Sequence, residues 1–305
     1  MWPKYKFSYM LKNISNFYFN KIFRNEISQT HLNKNFIVVS SGRAAIVNIL
    51  KCFQFDRHSK IAVGPFTNQC IYNSAGFVCS PVLSNINVNF DAQLIYHQFG
   101  YNMKSDLSIF TIEDSVDSYI FAGEYLFQNN GRFEILSLPK ISNFCFGAMI
   151  FCKNTEDFNK LSNFINQQQK GFQLNLNLFL MMLNANHFDF RKKMNLYEKK
   201  LPLNIAEFIT FLINKNLKFE QKINNKIEVI QNFIDYKPRI QKRRFPSSVP
   251  LKVDKKFSSQ LIKDFPFLYV RTINQSFDFL KWDLVEKIFL PLHQDINIKE
   301  IQRLS

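Results

Sequence analysis

Three separated elements of this chain carry residue types that together could do chemistry. Lys140 stands behind a proline and seven residues before a glycine in EILSLPKISNFCFGA, residues 134–148. Glu113 and Asp114 close the apolar run SIFTIED, and Asp114 precedes that lysine by 26 residues. About seventy residues earlier, SSGRAAIVNIL at 40–50 sets Ser41, Gly42 and Arg43 at a helix start. A helix N-terminus offers unpaired N–H groups and a partial positive charge, and glycine lets a ligand approach the backbone, so this element suits a phosphate. The Ser41 hydroxyl and the Arg43 guanidinium could add to it. A carboxylate at a strand end can keep a pyridine nitrogen protonated and so make the ring an electron sink. A lysine amine, its pKa lowered by desolvation or a neighbouring cation, can form a Schiff base and later carry a proton. In this order the three elements are the set that a pyridoxal 5'-phosphate site requires. Taken singly, each has a plainer reading: an ordinary strand–turn–helix, a turn acid, and a surface lysine.

The segments between them supply the frame. FIVVS (36–40), KIAVGPF (60–66), SPVLSNI (80–86), SIFTIED (108–114), FEILSL (133–138) and AMIFCK (148–153) read as short buried strands, since they are apolar without two-residue alternation. Helix-compatible stretches fall at 42–54, 67–78 and 155–170, the last with Thr155 as N-cap and acids at 156 and 157. Alternation of this kind predicts an α/β fold with a mostly parallel central sheet and helices on both faces. In such a sheet, ligands sit outside the carboxyl ends of the strands, where Asp114 falls. Residues 172–235 become helical in pattern, and the basic, proline-bearing YKPRIQKRRFPSSVP at 236–250 follows. The expected division is a large domain over 1–235, including the helical segment 172–235, and a small C-terminal α+β domain over 236–305. The small domain shows one clear strand, FLYVR (267–271), and a terminal helix from about 297.

Composition excludes several classes. No apolar run approaches the roughly 18–20 residues of a membrane span, so no membrane association is expected. The N-terminal stretch is basic and aromatic, but Lys12, Asn13 and Asn16 interrupt it, which predicts a cytoplasmic protein without a signal peptide. The five cysteines are odd in number and form no CxxC, which favours reduced thiols over disulfides. The five histidines are scattered and no metal-site spacing occurs, so no metal is expected. A net charge of +15 would suit a polyanion partner. Phe, Asn, Lys and Ile are enriched together, however, and the lysines are dispersed, so compositional drift is the preferred reading and nucleic-acid binding is not expected. The one compact basic cluster, Lys242-Arg243-Arg244, is a candidate contact for a substrate diphosphate.

The ordered set resembles the DegT/DnrJ/EryC1/StrS sugar aminotransferases, fold-type I pyridoxal-phosphate enzymes, as a divergent member. SSGRAAIVNIL looks like their SG-T/R-x-A-L helix start, SPVLSNIN like their PVFVDID strand, and IEDSVDS like their EDAAQ/H. SLPKISNFCFGA is similar to their S-F-x-x-x-K…GG, and LPLHQDINIKEIQRL at 290–304 to their C-terminal LPLHP motif. The resemblance implies a small C-terminal domain, Lys140 as the catalytic Schiff-base residue, and Asp114 as partner of the pyridine nitrogen. It implies cofactor contacts from Ser41, Gly42, Arg43 and Asp117, with Ser137 near the phosphate and Phe66 stacked on the ring. It further implies a homodimer that aminates a nucleotide-linked keto-sugar, with glutamate as donor, for surface polysaccharide or related biosynthesis. The chain departs from the pattern at Asp117, where the family has Gln or His, and at Ile135, where it has serine. It departs again at Gly147-Ala148, where the family has two glycines. These departures carry the alternative reading, a catalytically inactive aminotransferase-fold protein that serves as a binding or assembly partner.

Overall fold

The computed structural model describes residues 35–39, 41–85, 88–120, 123–137, 147–167, 217–231, 244–252 and 258–292, with single positions at 296, 299 and 302. The first strand, β1 (Phe36–Val39), leads into helix α1 (Gly42–Cys52). Then come β2 (Lys60–Val63), α2 (Gln69–Gly76), β3 (Ser80–Leu83) and β4 (Ala92–Tyr96). They are followed by β5 (Phe110–Asp114), β6 (Ser118–Ile120), β7 (Phe133–Ser137), β8 (Ala148–Cys152) and α3 (Thr155–Gln167). Beyond these lie α4 (Leu217–Ile230), β9 (Arg244–Pro246), β10 (Ser248–Leu251), α5 (Ser258–Asp264), β11 (Tyr269–Asn274) and β12 (Leu284–Pro291).

Among the described residues, seven strands form one sheet in the order β1-β8-β7-β5-β4-β2-β3. β8 alone runs against its neighbours β1 and β7; the other pairings are parallel. The central strands are apolar on both faces because both faces are covered. Ile61, Val63, Leu94 and Tyr96 pack with Ile46 and Ile49 of α1, Ile71 of α2 and Leu161 of α3. The intervening Ala62 and Ile95 turn the other way, onto Ile273 of β11, Phe289 of β12, and Phe277 and Phe279 of the turn between those strands. Each buried Ile, Leu or Phe in such a core contributes about 1.5–3 kcal/mol relative to exposure.

The six expected strands and three expected helices all form within a few residues of their predicted bounds. β4 was not anticipated, because Gln93 interrupts its apolar run. That side chain is buried and bonded to Thr111 Oγ1 at 2.7 Å, to the Leu107 carbonyl at 3.0 Å and to Ser105 Oγ at 2.6 Å. The C-terminal part holds more than the one strand expected: β10, β12 and β11 form an antiparallel sheet, and β9 pairs with β6. The adjacent charges of Glu286 and Lys287 within β12 hid it from the sequence. The terminal helix expected from about 297 and most of the segment 172–235 lie outside the described residues.

Candidate active site

The parallel strands and β1 bring their carboxyl ends to one edge of the sheet, and the predicted site residues follow those ends. Ser41 has extended backbone angles and its Oγ accepts the Ala44 N–H at 3.1 Å, which starts α1 immediately after β1. A hydroxyl used as acceptor still has its own hydrogen to donate. No acidic side chain occupies the first turn of α1, so that end keeps its attraction for an external anion. A Cβ added to Gly42 would lie 3.3 Å from Val116 Cγ1 and 4.0 Å from Ile135 Cγ2. The start of α1 therefore rests on the turn that follows Asp114 and on β7. Ile135, where the family pattern has a serine, is a fully buried core residue beneath this helix start.

Asp114 ends β5 with only 1 % of its surface exposed. Its carbonyl accepts the His97 N–H at 2.9 Å, and its Oδ1 accepts the Val116 N–H at 3.1 Å. The turn beyond it is closed by Ser118 N–H to the Ser115 carbonyl at 2.9 Å, and is tied to β7 by Ser115 N–H to the Ile135 carbonyl at 2.9 Å. Asp117 is buried in this turn, and its Oδ2 accepts the phenolic hydrogen of Tyr96. Tyr96 lies opposite Asp114 in the β4–β5 register, and its hydroxyl also receives Asn68 Nδ2 at 3.5 Å. Burial raises the Tyr96 pKa well above the ordinary phenol value, and the charges of Asp117 and Asp114 push it the same way. Tyr96 therefore stays a donor, and Asp117 is engaged on the flank of the site.

A second layer of buried charge supports this edge. Glu113 Oε2 receives His97 Nε2 at 2.9 Å, and its Oε1 receives the Gly131 N–H at 2.8 Å. His97 Nδ1 accepts the Met103 N–H at 3.0 Å, so it is the Nε2 hydrogen that goes to Glu113. Burial alone would raise the Glu113 pKa, but the His97 bond and charge, the Gly131 N–H and the Arg244 charge outweigh it and hold the carboxyl below its usual range. Next to it, Glu134 is fully buried, which pushes its carboxyl up, while Arg244 pulls it back. Glu134 accepts the hydroxyl of Ser115, the Phe127 N–H, and Arg244 Nη1 at 3.1 Å.

The structure thus brings Ser41, Gly42, Arg43, Asp114, Asp117 and Ser137 to the carboxyl edge of the sheet, with Ser137 ending β7. Phe66 follows β2 at the same edge, its ring lying on Gly64, where a Cβ would come within 2.6 Å of Cζ. Lys140 lies outside the described residues, in the segment that leaves β7 at Ser137 and rejoins the sheet at Ala148, the residue paired with Ser137. Gly147 has φ of +103°, so the glycine retained from the family pair stands where side chains are strained. Ala148, in place of the second glycine, is an ordinary buried strand residue. Arg244 departs from its expected place: it is buried and ion-paired rather than part of an open basic loop, and Lys242 and Arg243 lie outside the described residues. Tyr96, His97, Ser115 and Glu134 were missed. Charged Glu113 and Glu134 inside apolar strands were the available signal, because a buried acid requires a partner.

These residues fit a pyridine cofactor that carries a phosphate: a helix start without an acid, close under-packing at Gly42, and a buried carboxylate at the neighbouring strand end. The family model described as "Putative PLP-dependent aminotransferase" matches residues 19–305. No curated protein sequence matches the chain significantly. Among solved structures, Spr1654 from Streptococcus pneumoniae, in its PMP form, is similar with a TM-score of 0.65 and 13 % identity, over 99 % of this chain and 96 % of that one. PseC from Helicobacter pylori, an aminotransferase involved in the biosynthesis of pseudoaminic acid, is similar with a TM-score of 0.57 and 14 % identity, over 93 % and 88 %. DesI in the presence of its TDP-sugar product gives a TM-score of 0.59 at 8 % identity, over 99 % and 89 %. At these identities the likeness is one of fold, the mostly parallel sheet with helices of fold-type I aminotransferases.

Proposed function

The chain belongs to the family of pyridoxal-phosphate-dependent aminotransferases, and we propose that it moves an amino group from an amino-acid donor, glutamate in first place, onto a keto-sugar carried by a nucleotide. The observation that carries this reading is the buried carboxylate of Asp114 at the carboxyl end of β5, with the start of α1 resting on the turn beyond it. DesI, with its TDP-sugar product, and PseC, in pseudoaminic acid biosynthesis, support the substrate class and a role in surface polysaccharide or related biosynthesis.

When bound, pyridoxal phosphate supplies an electron-withdrawing ring that stabilises negative charge developing on the donor's α-carbon. In this reading Asp114 keeps a proton on the ring nitrogen through a charge-assisted hydrogen bond. The backbone N–H groups at Gly42, with Ser41, Arg43 and Ser137 beside them, receive the phosphate. Lys140 would hold the cofactor covalently, and its amine would be the group that moves a proton at the donor's α-carbon. Phe66 would be the residue to cover the ring, and Asp117, held by Tyr96, would be a further cofactor contact. We assign the large portion to residues 1–235 and the small one to 236–305, and propose a cytoplasmic homodimer.

The test begins with absorbance. Purified protein given pyridoxal phosphate should acquire a near-visible band, and borohydride reduction followed by peptide mapping should find the label on Lys140. In a separate, unreduced sample glutamate should convert the chromophore to the aminated cofactor, and nucleotide-linked keto-sugars should reverse that conversion. A protein without the band, indistinguishable from Lys140→Ala, would overturn the reading. A band discharged by glutamate but restored only by simple keto acids would remove the sugar substrate alone.

A further inference from the structure

One cation reaches under the site from the far end of the chain. Arg244 opens β9, which pairs with β6 so that Arg244 lies opposite Ile120, just beyond the Asp114 turn. Its guanidinium is buried and makes three contacts with separate parts of the site's support. Nη1 donates to the Tyr125 carbonyl at 2.6 Å and to Glu134 Oε1 at 3.1 Å, and Nη2 donates to Ser115 Oγ at 3.0 Å. Ser115 passes its own hydroxyl hydrogen to Glu134, so cation, hydroxyl and carboxylate close a ring of hydrogen bonds. Ser115 is also the residue after Asp114, and its backbone is fixed at both ends by Ile135 and Ser118. The direction of the Asp114 carboxylate depends on this turn, because Val116 N–H holds its Oδ1.

We propose that Arg244 is a positioning residue for the amino-transfer reaction: through Ser115 and Glu134 it fixes the turn that aims the Asp114 carboxylate at the cofactor's ring nitrogen. This rests on the proposed role of Asp114. The guanidinium matters for its fork as well as its charge, since two of its nitrogens reach acceptors on different elements at once, which an ammonium cannot reproduce. Displacement of a carboxylate by a fraction of an ångström lengthens a charge-assisted bond and weakens its hold on the proton. The arrangement also joins β9 to the cofactor edge, so the position of the C-terminal portion bears on the ring nitrogen.

The test is the protonation state of the ring nitrogen, read by NMR in protein loaded with pyridoxal phosphate labelled with nitrogen-15 in the ring. The variants are Ser115→Ala, Arg244→Lys and Asp114→Asn, with Ser118→Ala as control, because the Ser118 hydroxyl makes no hydrogen bond among the described residues. In the parent protein and in Ser118→Ala the nitrogen should stay protonated from about pH 6 to about pH 9, a range above the ordinary carboxylate pKa. In Ser115→Ala and Arg244→Lys it should lose its proton within that range, and kcat should fall about tenfold or more while KM for the amino donor stays within about twofold. Ser115→Ala leaves the Arg244–Glu134 ion pair in place, so it decides the matter if Arg244→Lys fails to fold. A normal nitrogen signal in folded Ser115→Ala, with Asp114→Asn deprotonated, overturns the role of Arg244 alone. A normal signal in Asp114→Asn overturns the role of Asp114 and this proposal with it.

Discussion

Tyr96, at the end of β4, donates its phenolic hydrogen to Asp117, in the turn beyond β5, and both side chains are shut off from solvent. The pair ties two strand ends together where the cofactor edge begins. Tyr96→Phe should destabilise the protein by about 1–3 kcal/mol, chiefly by removing the hydrogen bond that Tyr96 gives to the buried Asp117. Asp117→Asn added to that background should cost less than it does alone. Denaturant unfolding of the four proteins in the cycle measures the coupling, and strictly additive losses would show that the pair does not interact.

Asp114→Asn keeps the shape of the side chain and removes its charge. Cofactor should still bind, while amino transfer slows by about 10²–10³, the cost of losing one aimed electrostatic contact in a dry site. Stopped-flow measurement of the glutamate half-reaction checks it. An unchanged rate would move the role to another acid, Asp117 first.

Gly42→Ala should weaken cofactor binding about tenfold with little loss of fold stability. The new methyl would sit 3.3 Å from Val116 Cγ1, so either the helix start or the turn must yield by a few tenths of an ångström. Val116→Ala in the same chain should restore most of the affinity, measured by titration of the cofactor band. Failure of that rescue would mean that Gly42 matters for its backbone and not for its contact with Val116.

Glu113 carries an acid-sensitive part of the stability. Its folded pKa lies below its unfolded value, so its contribution is fully present above about pH 4.3, the ordinary glutamate value, and is lost as pH falls through the folded pKa. Glu113→Gln should lower stability at neutral pH and flatten its decline with acid over that window. Thermal melts of both proteins from neutral to acid pH check this, and parallel curves would refute it.

The thiols should divide sharply. Burial pushes Cys79 and Cys152 up to about 12 and raises Cys52 as well, whereas Cys70 is exposed on α2. A maleimide at mildly alkaline pH should label Cys70 within minutes and leave the other three untouched until the protein is unfolded. Mass spectrometry of the digest reads the order. Cys145 lies outside the described residues.

How much of this could be read from the chain alone follows from burial. Strands such as KIAV and AMIFC are apolar on both faces, so their sequences announce a covered sheet. The positions of Ser41, Gly42 and Asp114 were legible because a helix start and a strand end are written in local sequence. β4 was hidden by Gln93, whose bonds to Leu107, Ser105 and Thr111 exist only once the sheet has formed. Arg244 was misjudged for a related reason. In the sequence it belongs to a basic loop, and only the pairing of β9 with β6 delivers it to Glu134, 110 positions away. Contacts made across such separations leave no local pattern.

The antiparallel placement of β8 has a consequence for the order of assembly. β1 is the first strand of the sheet to leave the ribosome, yet among the described residues its ladder is with β8 alone, Phe36 opposite Phe151 and Val39 opposite Ala148. More than a hundred residues must therefore be synthesised before β1 has a neighbour, and closing so long a loop slows the pairing. Until then the strand that leads into α1 lacks the ladder with β8 that holds it in the sheet. The site should thus be among the last parts of the molecule to form, and a nascent chain that ends before residue 148 should be unable to retain cofactor however well β2 to β5 have folded.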